Sequence, residues 1–396
     1  MWSISKLYYV LGGNADRNAG VGLGGRAGEE AGGGVERGPA RLVADAEGEP
    51  VTVGVEPPLP DVACAYALDI SRCIGCRRCE GACPSGVQYG AMLDEARTEL
   101  TADRHDRLVD LLTSNSLLDM ALGVGRGIAR LLPRGESDSL LAKLVSLIPK
   151  RKPFSLDTPL YPALSEPRGQ VQLFAGCIGR HTDAAALEAL VAILTRQGFS
   201  VSVPQAQACC GAMHSHAGST QKAQAFIDRN RAAFAGKADA ILVTSSGCGH
   251  QLQQSLAMPA PVFEATAFLA GHGLLPELPA DRIANTALYL PCSLDAMQQA
   301  DAVRGLLRRV SAGMLPEIEG LGCCGGAGMH MLTHPEMASQ LAAPIVEQVR
   351  MLGIETLLTT NSGCALHLGQ ALHRAALSVT LMHPLEWLQQ QLEISS

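Results

Sequence analysis

Aromatic residues are scarce in this 396-residue chain, at 4%, and charged residues supply only 17% of it. There is no surplus of base. The formal charge is -7, so the clustered Lys and Arg with which proteins neutralise nucleic-acid phosphates are missing. No run approaches the roughly 18 consecutive apolar residues of a membrane-spanning helix, and the N-terminus has no compact charged-then-apolar targeting segment. The expectation is a cytoplasmic, Ala- and Leu-rich globular protein. A usable dinucleotide site is missing too. Gly20-Val21-Gly22-Leu23-Gly24-Gly25 matches GxGxxG in letters, but no strand pattern leads in and no amphipathic helix leads out.

Cysteine is what the chain has instead, 13 in all, and they come in clusters. Disulfide frameworks belong mainly to small secreted domains, so clustered thiols in a long chain point to metal ligation in a reducing compartment. Two clusters share one design. Cys177, Cys209-Cys210-Gly211 and Cys248 recur as Cys292, Cys323-Cys324-Gly325 and Cys364, at steps of 115, 114, 114 and 116 residues by subtraction. Thiols kept only as small apolar packing groups could be replaced by Ala or Val. A repeat that keeps the thiols while its surroundings drift is a duplicated site.

The length suggests two or three domains at about 150 residues each. Residues 1–60 are dense in Gly without a sustained period and are expected to be disordered. Residues 61–148 hold a compact cysteine run followed by a helical connector, with apolar residues at helical spacing through Met92, Leu93, Ala96 and Leu100, and again from Leu117 to Leu132. Residues 149–168 carry Pro149, Pro153, Pro159, Pro162 and Pro167 with Lys150-Arg151-Lys152, which predicts an extended linker with a solvated basic triplet. The two repeats then occupy 169–276 and 277–396.

Each repeat alternates short apolar runs with amphipathic ones. In the first, strands are predicted at Val171–Ala175, Ser200–Val203 and Ala240–Thr244, with helices at Ala184–Gln197 and Gln221–Ala235. The second copies this with strands at Thr286–Leu290 and Glu355–Thr360 and helices at Asp301–Ala312 and Pro335–Leu352. The predicted fold class is α/β: a ferredoxin-type cluster segment with a helical connector, then two repeated α/β lobes with parallel sheets. Cys177 and Cys292 follow the first strand of their repeats, and Cys248 and Cys364 follow the last. Ligands of open α/β sheets gather outside the carboxyl ends of strands, so each array should converge on one rim. The Cys-Cys-Gly glycines permit the tight turn that aims adjacent thiolates at one centre.

Upstream lies Cys73-Ile74-Gly75-Cys76-Arg77-Arg78-Cys79-Glu80-Gly81-Ala82-Cys83-Pro84, the CxxCxxCxxxCP run of bacterial ferredoxins. Its short turns set three thiolates around one face of a [4Fe-4S] cube, and its glycines let backbone N–H groups approach cluster sulfur. Zinc prefers paired knuckles. In two-cluster ferredoxins the fourth cysteine serves the other cluster, and only Cys64 lies upstream here. Either Cys83 closes its own cluster, or Cys64 supplies the missing ligand, or a companion run is absent.

The run from Cys73 to Gly90 followed by Cys-Cys-Gly repeats resembles the iron-sulfur subunit of bacterial glycolate oxidase. More broadly it resembles the B-type subunit of heterodisulfide reductase, lactate-utilisation proteins and the iron-sulfur subunit of anaerobic glycerol-3-phosphate dehydrogenase. The likeness spans about 65–390 and is carried by Cys73 to Cys79 with Pro84-Ser85-Gly86-Val87, Cys209-Cys210-Gly211-Ala212-Met213-His214, and Cys323-Cys324-Gly325-Gly326-Ala327-Gly328. It implies an electron-transfer subunit: an FAD-containing partner oxidises glycolate or another 2-hydroxy acid, and iron-sulfur centres here pass electrons toward a quinone-type acceptor. It also implies peripheral attachment to the inner face of a membrane through partners. The implied ligands are Cys73, Cys76, Cys79 and Cys83 for a [4Fe-4S] cluster, and Cys177, Cys209, Cys210, Cys248, Cys292, Cys323, Cys324 and Cys364 for the arrays.

Two departures from the family pattern stand out. Glycolate-oxidase-type members carry two ferredoxin runs, and the fuller Cys-Cys-Gly pattern ends in CxxC, whereas here Gln251 and His367 stand at that last position. His367 is expected on a helix surface, with substitute ligation as the alternative. His214, His216 and His330 follow the Cys-Cys-Gly turns and are candidate partners of cluster sulfur or a bound acid. Disulfide cleavage at the Cys-Cys-Gly sites and a zinc-bearing scaffold are the competing functions.

Overall fold

The computed structural model describes residues 41–43, 52–54, 68–69, 73–83, 87–100, 106–131, 151–255, 258–272, 275–320 and 322–393. The chain divides into two compact units, residues 1–104 with His216–Gly218, and His105–Ser215 with Ser219–Ser396.

In the first unit, β1 (Arg41–Val43), β2 (Thr52–Gly54) and β3 (Leu68–Asp69) form an antiparallel ribbon in that order. β1 and β2 fall in the Gly-rich segment expected to be disordered, which corrects that expectation for these two strands. The local sequence explains it, because Leu42, Val43, Thr52 and Val53 are residues that suit a pleated pair. The other residues of 1–60, and Cys64, lie outside the described residues. Helices Arg78–Ala82 and Tyr89–Leu100 follow the ribbon, the second burying Met92, Leu93 and Ala96 as its spacing predicts.

The second unit opens with helices Asp106–Thr113 and Asn115–Leu131. Its larger sheet contains β4 (Leu160–Tyr161), β5 (Gly169–Phe174), β6 (Phe199–Ser202), β7 (Ala240–Val243) and β8 (Val262–Glu264), in the order β4-β6-β5-β7-β8. Neighbours among β5 to β8 run parallel, and β4 is an antiparallel edge. The linker expectation is therefore corrected at β4. Pro159 and Pro162 bracket a two-residue strand, the edge position that tolerates proline. β7 is buried along its whole length because helices cover both sheet faces. Helix Ala184–Arg196 contributes Leu187, Leu190 and Leu194, each fully buried, worth roughly 2 kcal/mol apiece in apolar area removed from water.

A smaller parallel sheet contains β9 (Thr286–Leu288), β10 (Thr356–Leu358) and β11 (Thr380–Met382), in the order β11-β10-β9. Beyond β9 lies a single parallel bridge between Leu288 and Glu317. Leu288 N–H donates to Pro316 O at 2.8 Å and Ile318 N–H donates to Leu288 O at 2.7 Å. From Glu317 outward the order is bridge, β9, β10, β11, which matches β6, β5, β7, β8 of the larger sheet. Strands β8 and β11 add to the predicted set and close the pattern at its far edge. Among the described residues no helix is long and apolar enough to cross a membrane.

Candidate metal centres

In the first unit the ferredoxin-like run wraps on itself through two residues with positive φ, Gly75 at 66° and Arg77 at 58°. Glycine removes the steric cost at the first; Arg77 is held by its ion pair to Asp94 at 3.2 Å. The Arg77 side chain lies where a Cβ on Gly90 would stand, 2.5 Å from its Cζ, so Gly90 is small to admit the arginine. Glu80 accepts from Gly90 N–H at 2.6 Å, and Arg97 donates to the Cys73 carbonyl, so helix Tyr89–Leu100 grips both sides of the run. Tyr89 donates to Cys83 Sγ at 3.8 Å. Burial, then the neighbouring Cys73 and Cys76, pushes the Cys79 thiol up to about 11. Losing that proton calls for a positive charge among these sulfurs, which metal supplies.

In the second unit, all eight cysteines of the two arrays come together in their sets of four. Cys177 follows Gly176, whose φ is 68°, at the carboxyl end of β5, and its Sγ lies 3.3 Å from Cys209 Sγ. Cys248 lies in the first turn of helix Ser246–Gln254 and hydrogen-bonds Cys210. In the other array Cys292 begins helix Cys292–Ala296 and hydrogen-bonds Cys323. Cys324 Sγ lies 3.0 Å from Cys364 Sγ, in the first turn of helix Ser362–Arg374. Both arrays thus join first to second and third to fourth. Among the described residues no three Cys, His, Asp or Glu side chains already surround one ion position. The sulfurs meet in hydrogen-bonded chains.

The glycine of each Cys-Cys-Gly turn has a steric reason. Gly211 has φ 87°, and a Cβ there would lie 2.9 Å from the Ala223 carbonyl oxygen. Gly325 has φ 90°, and a Cβ there would lie 2.6 Å from the Ala338 carbonyl oxygen. Each turn is pressed against the backbone of the following long helix, Thr220–Ala233 or Pro335–Met351. The same turns aim N–H groups at sulfur: Gly211 to Cys209, Gly325 to Cys323 and Gly326 to Cys324, all at 3.4 Å.

Proton placement follows the sulfur chains. Bonds from Cys177 and Cys210 push Cys209 up, and bonds from Cys323 and Cys364 push Cys324 up. Cys323 is held far below the ordinary thiol range, first by its bond from Cys292 and then by that from Cys324, with His330 adding positive charge nearby. Three buried thiols and one half-buried one in each array, Cys248 in the first and Cys292 in the second, with glycine N–H donors on sulfur and apolar surroundings, are a donor set that suits an iron-sulfur group.

Beneath the thiols lies a polar lattice that the sequence reading missed. Ser362 and Thr244 donate to Asp183 Oδ2 at 2.7 and 3.1 Å, while Ser246 Oγ meets Ser293 Oγ at 2.7 Å. The serine two residues before Cys248 therefore bonds to the second repeat, and the serine two residues before Cys364 bonds back to the first. Asn361 accepts from Gly363 and Cys364 N–H and donates to Ser293 at 3.0 Å. Ser-Gly-Cys recurring at 246–248 and 362–364 was the available signal. Asp183 and Glu386 also border a cavity of about 60 Å³.

The histidines divide. His367 is 2% exposed and its Nε2 pairs with the Ala338 carbonyl at 3.0 Å, which corrects its expected place on a helix surface. It is a buried strut between helix Ser362–Arg374 and the helix that crowds Gly325, and burial lowers its basicity. His214 is fully buried, stacked on Phe226 and 3.1 Å from Thr113 Oγ1. His330 is buried and stacks on His334 with ring centres 4.6 Å apart. His216 is exposed and Gln251 half-buried.

Comparison with known families places these sites in context. The model of a cysteine-rich domain matches twice, at residues 171–253 and 286–369, and that of a 4Fe-4S binding domain matches residues 66–89. The glycolate oxidase iron-sulfur subunit of Escherichia coli is 30% identical over 329 residues, covering 76% of this chain and 78% of its own. The probable glycolate oxidase iron-sulfur subunit of Bacillus subtilis is 27% identical over 352 residues, covering 78% of this chain and 79% of its own. A fumarate reductase (CoM/CoB) subunit from Methanothermobacter marburgensis is 28% identical over 229 residues, 56% of this chain and 46% of its own.

Proposed function

The chain belongs to the family of glycolate oxidase iron-sulfur subunits, and from that premise we propose that it relays electrons, one at a time, from an FAD-bearing partner to a quinone-type acceptor. Oxidation of a 2-hydroxy acid delivers an electron pair in a hydride-like step, which a flavin accepts and an iron-sulfur centre does not. The chain's part begins after that step. In this reading Cys73, Cys76, Cys79 and Cys83 hold a [4Fe-4S] cluster in the segment 61–148. Cys177, Cys209, Cys210 and Cys248 serve the repeat 169–276, and Cys292, Cys323, Cys324 and Cys364 serve the repeat 277–396. The protein works on the cytoplasmic side, held to the inner face of the membrane through its partners.

The observation that carries this is the convergence of two four-thiol sets from residues far apart in sequence, each joined in the same order. The test is anaerobic mixing of the cluster-loaded protein with its substrate-reduced flavoprotein partner. Visible absorbance should bleach on addition of glycolate, and an unchanged spectrum would sink the reading.

A second reading, thiol-disulfide chemistry at the Cys-Cys-Gly turns, draws on the low pKa direction of Cys323, because thiolate is the attacking form in disulfide exchange. Turnover of a small disulfide by the isolated, reduced protein would favour it over electron relay.

A further inference from the structure

The Ser-Gly-Cys triplets at 246–248 and 362–364 are preceded by different residues, Ser245 in the first repeat and Asn361 in the second. Asn361 is the longer, and the extra reach is used. Its Oδ1 accepts from Gly363 N–H at 2.9 Å and from Cys364 N–H at 3.2 Å, which fixes the oxygen end of the amide and turns Nδ2 the other way. Nδ2 donates to Ser293 Oγ at 3.0 Å and to Ser246 Oγ at 3.4 Å. Ser293 follows Cys292, and Ser246 lies two residues before Cys248. One amide therefore touches the segments that carry Cys364, Cys292 and Cys248.

The glycines of both triplets make room for it. A Cβ on Gly247 would lie 2.9 Å from Asn361 Nδ2, and one on Gly363 would lie 3.1 Å from Asn361 Oδ1. The amide is seated between the residues that immediately precede Cys248 and Cys364, one from each array. Backbone closes the same seam: Ser246 N–H donates to the Thr360 carbonyl at 2.8 Å, beside the 2.7 Å contact of the Ser246 and Ser293 hydroxyls. Ser245 makes no side-chain cap bond on its own helix. The turn of Cys248 is braced from the other repeat.

We propose that Asn361 is a positioning residue for both arrays: the amide that caps the turn of Cys364 also holds the turn of Cys248 in place for its cluster. The proposal rests on the cluster reading above. Groups that orient metal ligands without touching the metal govern how firmly the metal is kept. A cap acting only on its own helix would steady Cys364 and leave Cys248 untouched. A shared pin makes cluster retention in array 1 depend on a side chain of the second repeat, so the two sites are kept together although each has its own thiols.

The experiment is an anaerobic challenge of the full, cluster-loaded chain with an iron chelator, followed by iron content and by electron paramagnetic resonance after reduction with dithionite. The chains compared are the wild type, Cys210→Ser, Asn361→Ser, Ser246→Ala and the double variant of the last two. The signal absent from Cys210→Ser belongs to array 1. Serine caps a helix as well as asparagine does but is too short to reach the first repeat, so Asn361→Ser keeps the cap and removes the pin. It should load the wild-type amount of iron and then lose the signal of array 1 about tenfold faster than the wild type. Ser246→Ala should speed the same loss, and the two effects should combine to less than their product, because both changes break one link. An unchanged loss from array 1 in Asn361→Ser overturns the proposal, as do effects that multiply in full. If Asn361→Ser does not fold, Gly247→Ala decides, since its Cβ pushes the amide from its seat and should speed loss from array 2; faster loss from array 1 alone overturns the proposal. If Cys210→Ser leaves the iron content unchanged, array 1 holds no cluster, and the underlying reading falls together with the proposal.

Discussion

The first repeat supports its thiols from a five-stranded sheet and the second from a three-stranded one, yet the two arrays join their sulfurs in the same order. Edge strands can be lost without moving the site. What the repeats share is the central parallel pair, the turns leaving its carboxyl ends, and a glycine pressed onto helix backbone. What they do not share is finer. Asn361 caps its helix through two N–H groups, while Ser245 at the corresponding place makes no side-chain cap. A glutamate, Glu386, occupies the place that Ala267 holds in the first repeat. The lesson is that duplication preserved the Cys-Cys-Gly turns and left their supports free to differ.

The strongest way to break the comparison is at the cysteines. Cys210→Ser and Cys324→Ser should each remove the cluster of their own array and leave the other's signal intact, as read by iron and sulfide content with electron paramagnetic resonance. Loss of both signals from either change would show a shared centre in place of two sites. Next come the turn glycines. Gly211→Ala and Gly325→Ala each force a Cβ into helix backbone at a φ near 90°, at a cost of about 3 kcal/mol or more. Gly325→Ala should be the more damaging, since its clearance is 2.6 Å against 2.9 Å, and thermal denaturation of the pair would expose a reversed order.

Smaller effects sharpen the difference between supports. Asn361→Ala should cost about 1–2 kcal/mol and Ser245→Ala within ~0.5 kcal/mol, measured by denaturant unfolding; equal losses would mean the cap is not what separates the helices. The smallest is a pH effect at Glu386, whose carboxyl is raised above its ordinary value by burial. A raised carboxyl pKa means that the folded state holds its proton longer, so this contribution is full below the unfolded pKa near 4.5 and is lost as pH rises through the folded value. Melting temperature measured from pH 4 to 7 should therefore fall less steeply in Glu386→Gln than in the wild type. An identical slope would remove Glu386 as the cause.

Much of this was legible from residue patterns. The apolar runs at Val171, Ser200 and Ala240 placed three strands of the larger sheet within one or two residues, and the fixed spacing of eight cysteines announced the paired arrays. Periodicity reads local burial, so it located the helix that buries Leu187, Leu190 and Leu194 but could not say that Leu160-Tyr161 would pair with β6 across a proline-rich stretch. Nor does it see three-dimensional enclosure. His367 falls at a place where a helix surface was expected, and only the approach of helix Pro335–Met351 buries it.

The crossed serine contacts have a consequence for inheritance. Ser246 reaches Ser293, and Ser362 reaches Asp183, so neither half of the duplication closes its own polar accounts. Neither is a spare copy. A lineage that lost the hydroxyl at 246 would leave Ser293 with Asn361 as its remaining partner, and one that lost Asp183 would strand Ser362. Among relatives, changes at 246 and 293, and at 183 and 362, should come in pairs that cross the duplication.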